Sequence, residues 1–122
     1  MKTSWVVTNL TRQAPLATHA QAACTMASRV IGLLGRTGLA AGEGLWIKPC
    51  NSIHSLGMRF AFDALFLDKE LRVVHLIESM APWRVSSLVW KANSVLELPA
   101  GTIAQTGTQL TDQLSITPSC QT

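Results

Sequence analysis

Three residues could be assembled into a catalytic group: Cys50 as nucleophile, His54 as base and Asp63 as the carboxylate that orients the base. Cys50 and His54 share a stretch, residues 50–57, with neither helical nor strand periodicity, so spacing does not set the distance between their side chains. No Gly-rich oxyanion turn surrounds the cysteine, and a packed thiol beside a solvated loop histidine is the simpler reading. Asp63 stands in the most apolar segment of the chain, residues 59–68. A carboxylate with apolar neighbours on both faces of a strand must find hydrogen-bond donors or take up a proton. It is therefore either a general acid or base with a perturbed pKa, or a structural acceptor for backbone N–H groups of the 51–57 loop. The second role is favoured, because buried networks perturb carboxylates without catalysing anything.

The other side chains with chemical potential are scattered. His19, His54 and His75, taken with Asp63 or Cys50, show no metal-ligand spacing, so neither metal nor cofactor is expected. His75 reads as a core histidine in an apolar strand row, and His19 as solvated. Trp46, Trp83 and Trp90 lie near Arg59, Arg84 and Lys91 in sequence and could line an aromatic, basic surface. The binding candidates are Trp46, His54, Arg59, Trp83 and Arg84, with Trp83 and Trp90 expected to be the more exposed tryptophans. The competing explanation is that large aromatics close the open ends of a small β core.

The elements that must position these residues are short. Residues 4–12 read as a strand, with Pro15 ending it. Residues 18–34 carry Ala20, Ala23, Cys24, Ala27, Ile31 and Leu34 at helical spacing behind a Thr18 cap, which predicts a helix. Strands follow over 45–48, 59–68, 72–78, 94–98 and 113–117, and a helical turn is expected within 101–107. Phe60, Phe62, Ala64 and Phe66 alternate with Ala61, Asp63, Leu65 and Leu67, so both faces of that strand are expected to be covered. If Leu67 pairs with Arg72, Asp63 and His75 face opposite sides of the sheet and form no dyad. Glu97 alternates with Leu96 and Leu98 and reads as solvated, with Arg36 or Arg59 as a second-choice partner. The fold class is mainly β: a compact β-sandwich or barrel-like domain with one helix, from the N-terminal half, packed against it.

Composition agrees with one domain over residues 1–122. Of the 122 residues 48% are hydrophobic and 14% charged, enough apolar material for a core and too little charge for a disordered chain. No run of 18 apolar residues occurs, so no membrane insertion is expected. Ten Lys and Arg against seven Asp and Glu leave +3, too mild and too dispersed to point to nucleic acid. Cys24, Cys50 and Cys120 form no CxxC pair and are odd in number, which argues for reduced thiols. Residues 1–12 lack the apolar run of a secretory signal, and a cytoplasmic location is expected.

Four blocks, in order, resemble the small bacterial and archaeal proteins of the domain of unknown function 192 family. Gly32-Leu33-Leu34-Gly35-Arg36 is similar to the family's Gly-Leu-Met-aromatic-Arg segment, and Gly44-Leu45-Trp46 to its Gly-Met-Leu strand start. Residues 60–68 resemble the family's apolar-Pro-Leu-Asp strand, and Val95-Leu96-Glu97-Leu98-Pro99-Ala100-Gly101 its Val-Leu-Glu-Leu-Pro-Ala-Gly signature. The resemblance implies a compact β-sandwich with one helix and implies no activity. The chain departs from the pattern at residues 53–58, where many members carry Phe-Trp-Met-Lys-Asn-Thr. It departs again at Ala61, a common Pro, and at Leu71, a common turn Gly.

Together these residues favour a small, non-enzymatic domain that binds a small molecule or a protein through the 49–57 loop and nearby aromatics. The alternative is a hydrolase or transferase using Asp63 and His54, with Cys50 as a further candidate. Oligomeric state is not written in the sequence.

Overall fold

A computed structural model describes residues 3–25, 33 and 35–119. Seven strands form one sheet: β1 (Trp5–Asn9), β2 (Ala14–Ala23), β3 (Glu43–Ile47), β4 (Phe62–Leu67), β5 (Val73–Met80), β6 (Ser94–Pro99) and β7 (Leu114–Pro118). Their order across the sheet is β5-β4-β6-β3-β2-β1-β7. A short helix, α1 (Thr102–Thr106), follows β6. All neighbours are antiparallel except β2 and β3, which pair in parallel from His19↔Glu43 to Ala23↔Ile47.

The sheet curls until its two outer strands meet at one corner. Arg72 and Gln113 form an isolated bridge, and Val73 N–H donates to Asp112 O (3.0 Å) while Leu114 N–H donates to Leu71 O (3.0 Å). The result is a half-barrel, in agreement with the barrel-like alternative expected from the strand pattern. Val7, Ala20, Trp46, Leu65, Leu96, Leu98, Val73 and Leu114 meet inside the curl, with Ile103 of α1 among them. Phe62, Ala64, Phe66, Leu45, Ile47, Val95 and Met80 form a second core on the outer face, under Ile53 and Met58. All six residues of β4 are buried, as its two-sided apolar pattern requires.

The expected helix over 18–34 is corrected by the structure. Residues 18–23 belong to β2, whereas the remainder of the segment, residues 26–32 and 34, lies outside the described residues. Alanine-rich sequence has good helix propensity, but tertiary pairing overrides it. A Cβ on Gly44 would stand 3.5 Å from Ala20 Cβ and 3.1 Å from Leu98 Cδ2, so small residues are what this crowded pairing admits. Pro15 also sits within β2, opposite Thr8, rather than ending β1. Since β3 pairs only with residues 19–23, Pro15 occupies a stretch with no neighbour on that side to miss its N–H.

Gly42 sets the start of the parallel pair. Its φ is +86° and its carbonyl accepts both Thr18 N–H (2.9 Å) and His19 N–H (3.0 Å). A Cβ there would lie 2.7 Å from Thr18 Oγ1. Gly42→Ala is expected to destabilise the protein by about 1–3 kcal/mol, read as a lower urea midpoint with unchanged slope.

At the far end, Asp112 ties the β1–β2 turn to the loop before β7. Its Oδ2 accepts from Asn9 Nδ2 (2.9 Å), Arg12 Nε (3.0 Å) and Gln109 N–H (2.9 Å). Burial opposes its ionisation, yet these donors outweigh it and hold the carboxyl below the usual carboxylate range.

Candidate functional site

The outer core is roofed by two irregular segments, residues 50–58 and 81–93, that pair with each other. Ser55 is the centre of the pairing and is fully buried. Its N–H donates to Arg84 O (2.8 Å), its carbonyl accepts Trp83 N–H (2.9 Å), and its Oγ donates to Ala81 O (2.6 Å) while accepting Arg84 N–H (2.9 Å). Further along, Ser86 N–H donates to Ile53 O (2.8 Å) and Val89 N–H to Asn51 O (2.9 Å), with Cys50 N–H to Asn93 O (2.9 Å) at the end. His54 and Val85 form the one β-bridge within this roof.

Alternation in this ladder decides which side chains face out. Ile53, Ser55 and Met58 are buried and Val89 packs against the outer core, so His54, Leu56, Trp83, Val85, Leu88 and Trp90 are left on the solvent side. Trp83 is 65%, Val85 69% and Trp90 84% exposed. Trp83 also holds φ +64°, a left-handed conformation that disfavours a bulky residue. The bond from its N–H to Ser55 O keeps it there. Strain of this kind concentrates where a side chain is being aimed.

The residues singled out from the sequence fall in three places. His54, Trp83 and Arg84 are exposed on the two roof segments and Arg59 just beyond the first, and the pairing of those segments brings His54 beside Val85 and within one step of Trp83 and Arg84. Trp46 is in the inner core instead: 7% exposed, its Nε1 donates to Ser94 Oγ (3.0 Å), and its ring meets Trp5 edge-on at 5.6 Å with Lys48 Nζ at 4.3 Å from its centroid. Asp63 is fully buried on the inner side of β4. Its Oδ1 accepts Ser79 N–H (2.8 Å) and its Oδ2 accepts Ile103 N–H (2.8 Å).

Asp63 thus accepts from the backbone of β5 and α1 rather than from the 51–57 loop. Gly101 caps α1 without a side chain, and the carboxylate supplied from β4 takes the place of a local cap. Cys50 Sγ donates to Ser52 O (3.0 Å), and His54 Nδ1 accepts Leu56 N–H (3.2 Å). Cysteine and histidine are each turned onto their own loop, on the opposite face of the sheet from Asp63, so the three do not form a relay. The expected register slips by one residue at Leu67↔Val73 and by two from Ala64↔Ile77 to Phe66↔His75, with irregularities between Phe62 and Ala64 and between Phe66 and Leu67. His75 nevertheless lies against Phe66 on the outer face (5.2 Å between rings), away from Asp63. His19 is exposed and shares a 2.9 Å bond with Thr18 Oγ1. Among the described residues no group of three or more His, Cys, Asp or Glu could hold a metal ion.

Glu97 overturns its solvated reading. It points to the outer face between Leu45 and Ala64, only 4% exposed. Burial pushes its carboxyl up to about 8. Arg36, one of its two expected partners, instead places Nη2 3.1 Å from both oxygens of Glu43. No hydrogen bond from a described residue reaches the Glu97 carboxyl. The sequence did hold a signal: β6 adjoins a strand covered on both faces, and a strand paired on both edges there has no solvated side to offer.

The family model for domain of unknown function 192, described as "Uncharacterized ACR", matches residues 7–116. The chain belongs to that family. Two solved structures share the fold of this family member. A protein of unknown function from Novosphingobium aromaticivorans DSM 12444 is 21% identical with a TM-score of 0.79, over 92% of this chain and 83% of that one. A candidate transcription regulator from Sinorhizobium meliloti 1021 is 20% identical with a TM-score of 0.78, over 94% and 93% of the two chains. At such identities the likeness is one of fold. No curated protein matches the chain. No helix among the described residues is long and apolar enough to cross a membrane.

Proposed function

We propose that this family member is a non-enzymatic binding domain, spanning residues 1–122, whose contact surface is the outer side of the paired 50–58 and 81–93 segments. The observation that carries the reading is the outward set of Trp83, Val85, Leu88 and Trp90 on a backbone held by Ser55. Large apolar side chains kept in water on a fixed ladder lose free energy there that contact with a ligand regains. Trp and Arg are also the residue types that dominate binding energy at contact surfaces. We place the domain in the cytoplasm, where three cysteines without a CxxC pair remain reduced.

The test is an amide-shift map of the labelled protein titrated with panels of small molecules and peptides. Shifts are expected in residues 49–57 and 81–91. Turnover of a panel compound without such shifts, or shifts confined to the inner core around Asp63, would replace this reading with an enzymatic one. Trp83→Ala and Trp90→Ala are expected to change unfolding free energy by no more than about 0.5 kcal/mol, because both rings are exposed, while abolishing the shifts.

A further inference from the structure

We infer that the occupant of this surface is an acidic, apolar segment of a partner protein; the inference rests on the binding-domain reading above. Charge is the first ground. No Asp or Glu occurs between residues 44 and 62 or between residues 79 and 96, whereas Arg59, Arg84 and Lys91 fall inside these stretches. All three are exposed, and the ion pairs among the described residues, Arg12–Asp112 and Arg36–Glu43, use none of them. The roof therefore presents uncompensated positive charge beside its large apolar groups. A ligand carrying carboxylates gains both terms at once, and the charge additionally speeds encounter.

Geometry is the second ground. Val85 stands opposite His54 on the other segment, with the exposed Trp83 two positions along, its N–H bonded to Ser55 O. Alternate positions of a strand-like segment are spaced about 6.5–7 Å apart, the same period as the side chains of an extended peptide. A second copy of this chain fits poorly, because a two-fold contact would set the same unpaired cations against each other. Nucleic acid would need a denser phosphate-neutralising row than three cations among aliphatic side chains.

The test is selection of a random displayed-peptide library on the full chain, with counter-selection on the Trp83→Ala variant. Enriched peptides are expected to be rich in Asp and Glu together with aromatic or aliphatic residues. Their affinity is expected to fall about tenfold with Arg84→Glu and to weaken with added salt, while melting temperature stays that of the parent. Neutral or basic enriched peptides that Trp83→Ala still abolishes would remove the acidic class and leave the binding surface standing. A library in which no peptide distinguishes parent from Trp83→Ala would remove both. Three further arms decide against a peptide: sedimentation with phosphatidylglycerol–phosphatidylcholine vesicles lost in Trp90→Ala means a bilayer, oligothymidine binding lost in Arg84→Glu means nucleic acid, and a concentration-dependent dimer lost in Trp90→Ala means a second copy.

Discussion

Asp63→Ala is expected to cost about 3–5 kcal/mol of unfolding free energy, a large share of the roughly 5–15 kcal/mol that holds a domain of this kind together. The carboxylate is fully buried, and each oxygen accepts one backbone N–H, from Ser79 and from Ile103. Alanine leaves both donors without water and without acceptor, and α1 loses the acceptor at its first turn. Asp63→Asn is expected to be milder, at about 2–3 kcal/mol, since its amide oxygen keeps one bond and its NH2 faces the other N–H. Urea denaturation measures both, and amide exchange at Ser79 and Ile103 should quicken in each variant. An Asp63→Ala protein with the parent's midpoint would show that the clamp holds nothing.

Glu97 should make the protein less stable as the pH rises, the reverse of a salt-bridged carboxylate. Its folded value is about 8 against an ordinary 4.5. Below pH 4.5 both folded and unfolded states hold the proton, so the buried neutral carboxyl is fully tolerated. Between 4.5 and 8 the unfolded chain has released its proton and the folded chain has not, so stability falls as pH increases. Above about 8 both are ionised and the loss is complete, at roughly 4–5 kcal/mol as an upper bound from the shift alone. Glu97→Gln removes the titration; its midpoint should match the parent near pH 4.5 and exceed it clearly at pH 8. A parent whose urea midpoint is level across that window would exclude a buried, protonated Glu97.

Asp112 adds the opposite limb. Its folded value is depressed, so its contribution is present above the ordinary 3.8 and is lost as the pH falls through the folded value. Where Asp112 is ionised and Glu97 is still protonated in both states, neither group subtracts from stability.

The residues and their spacing determined by themselves what depends on neighbours in sequence. Alternation across residues 60–67 and the turn after Asp68 specified the β4–β5 hairpin, the burial of both β4 faces and the separation of Asp63 from His75. The four ordered blocks were enough to indicate the family, and Trp83 and Trp90 read as exposed because they lie in a stretch without periodicity. What only the tertiary structure decided depends on partners distant in the chain. Residues 18–23 carry a helical pattern, yet parallel pairing with β3 and the crowding around Gly44 make them strand. Asp63 was legible as a carboxylate in need of donors, but Ser79 and Ile103 are brought to it by a bulged register and by α1, neither of which local spacing encodes. Glu97 alternates like a surface residue and is buried because β6 is paired on both edges and a second apolar core gathers on the face it points to. The 50–58 and 81–93 segments gain their order from Ser55, whose bonds to Ala81 and Arg84 join stretches that have no periodicity of their own. Periodicity reports which face of an element is apolar; it carries no information about what else in the chain arrives to cover the other.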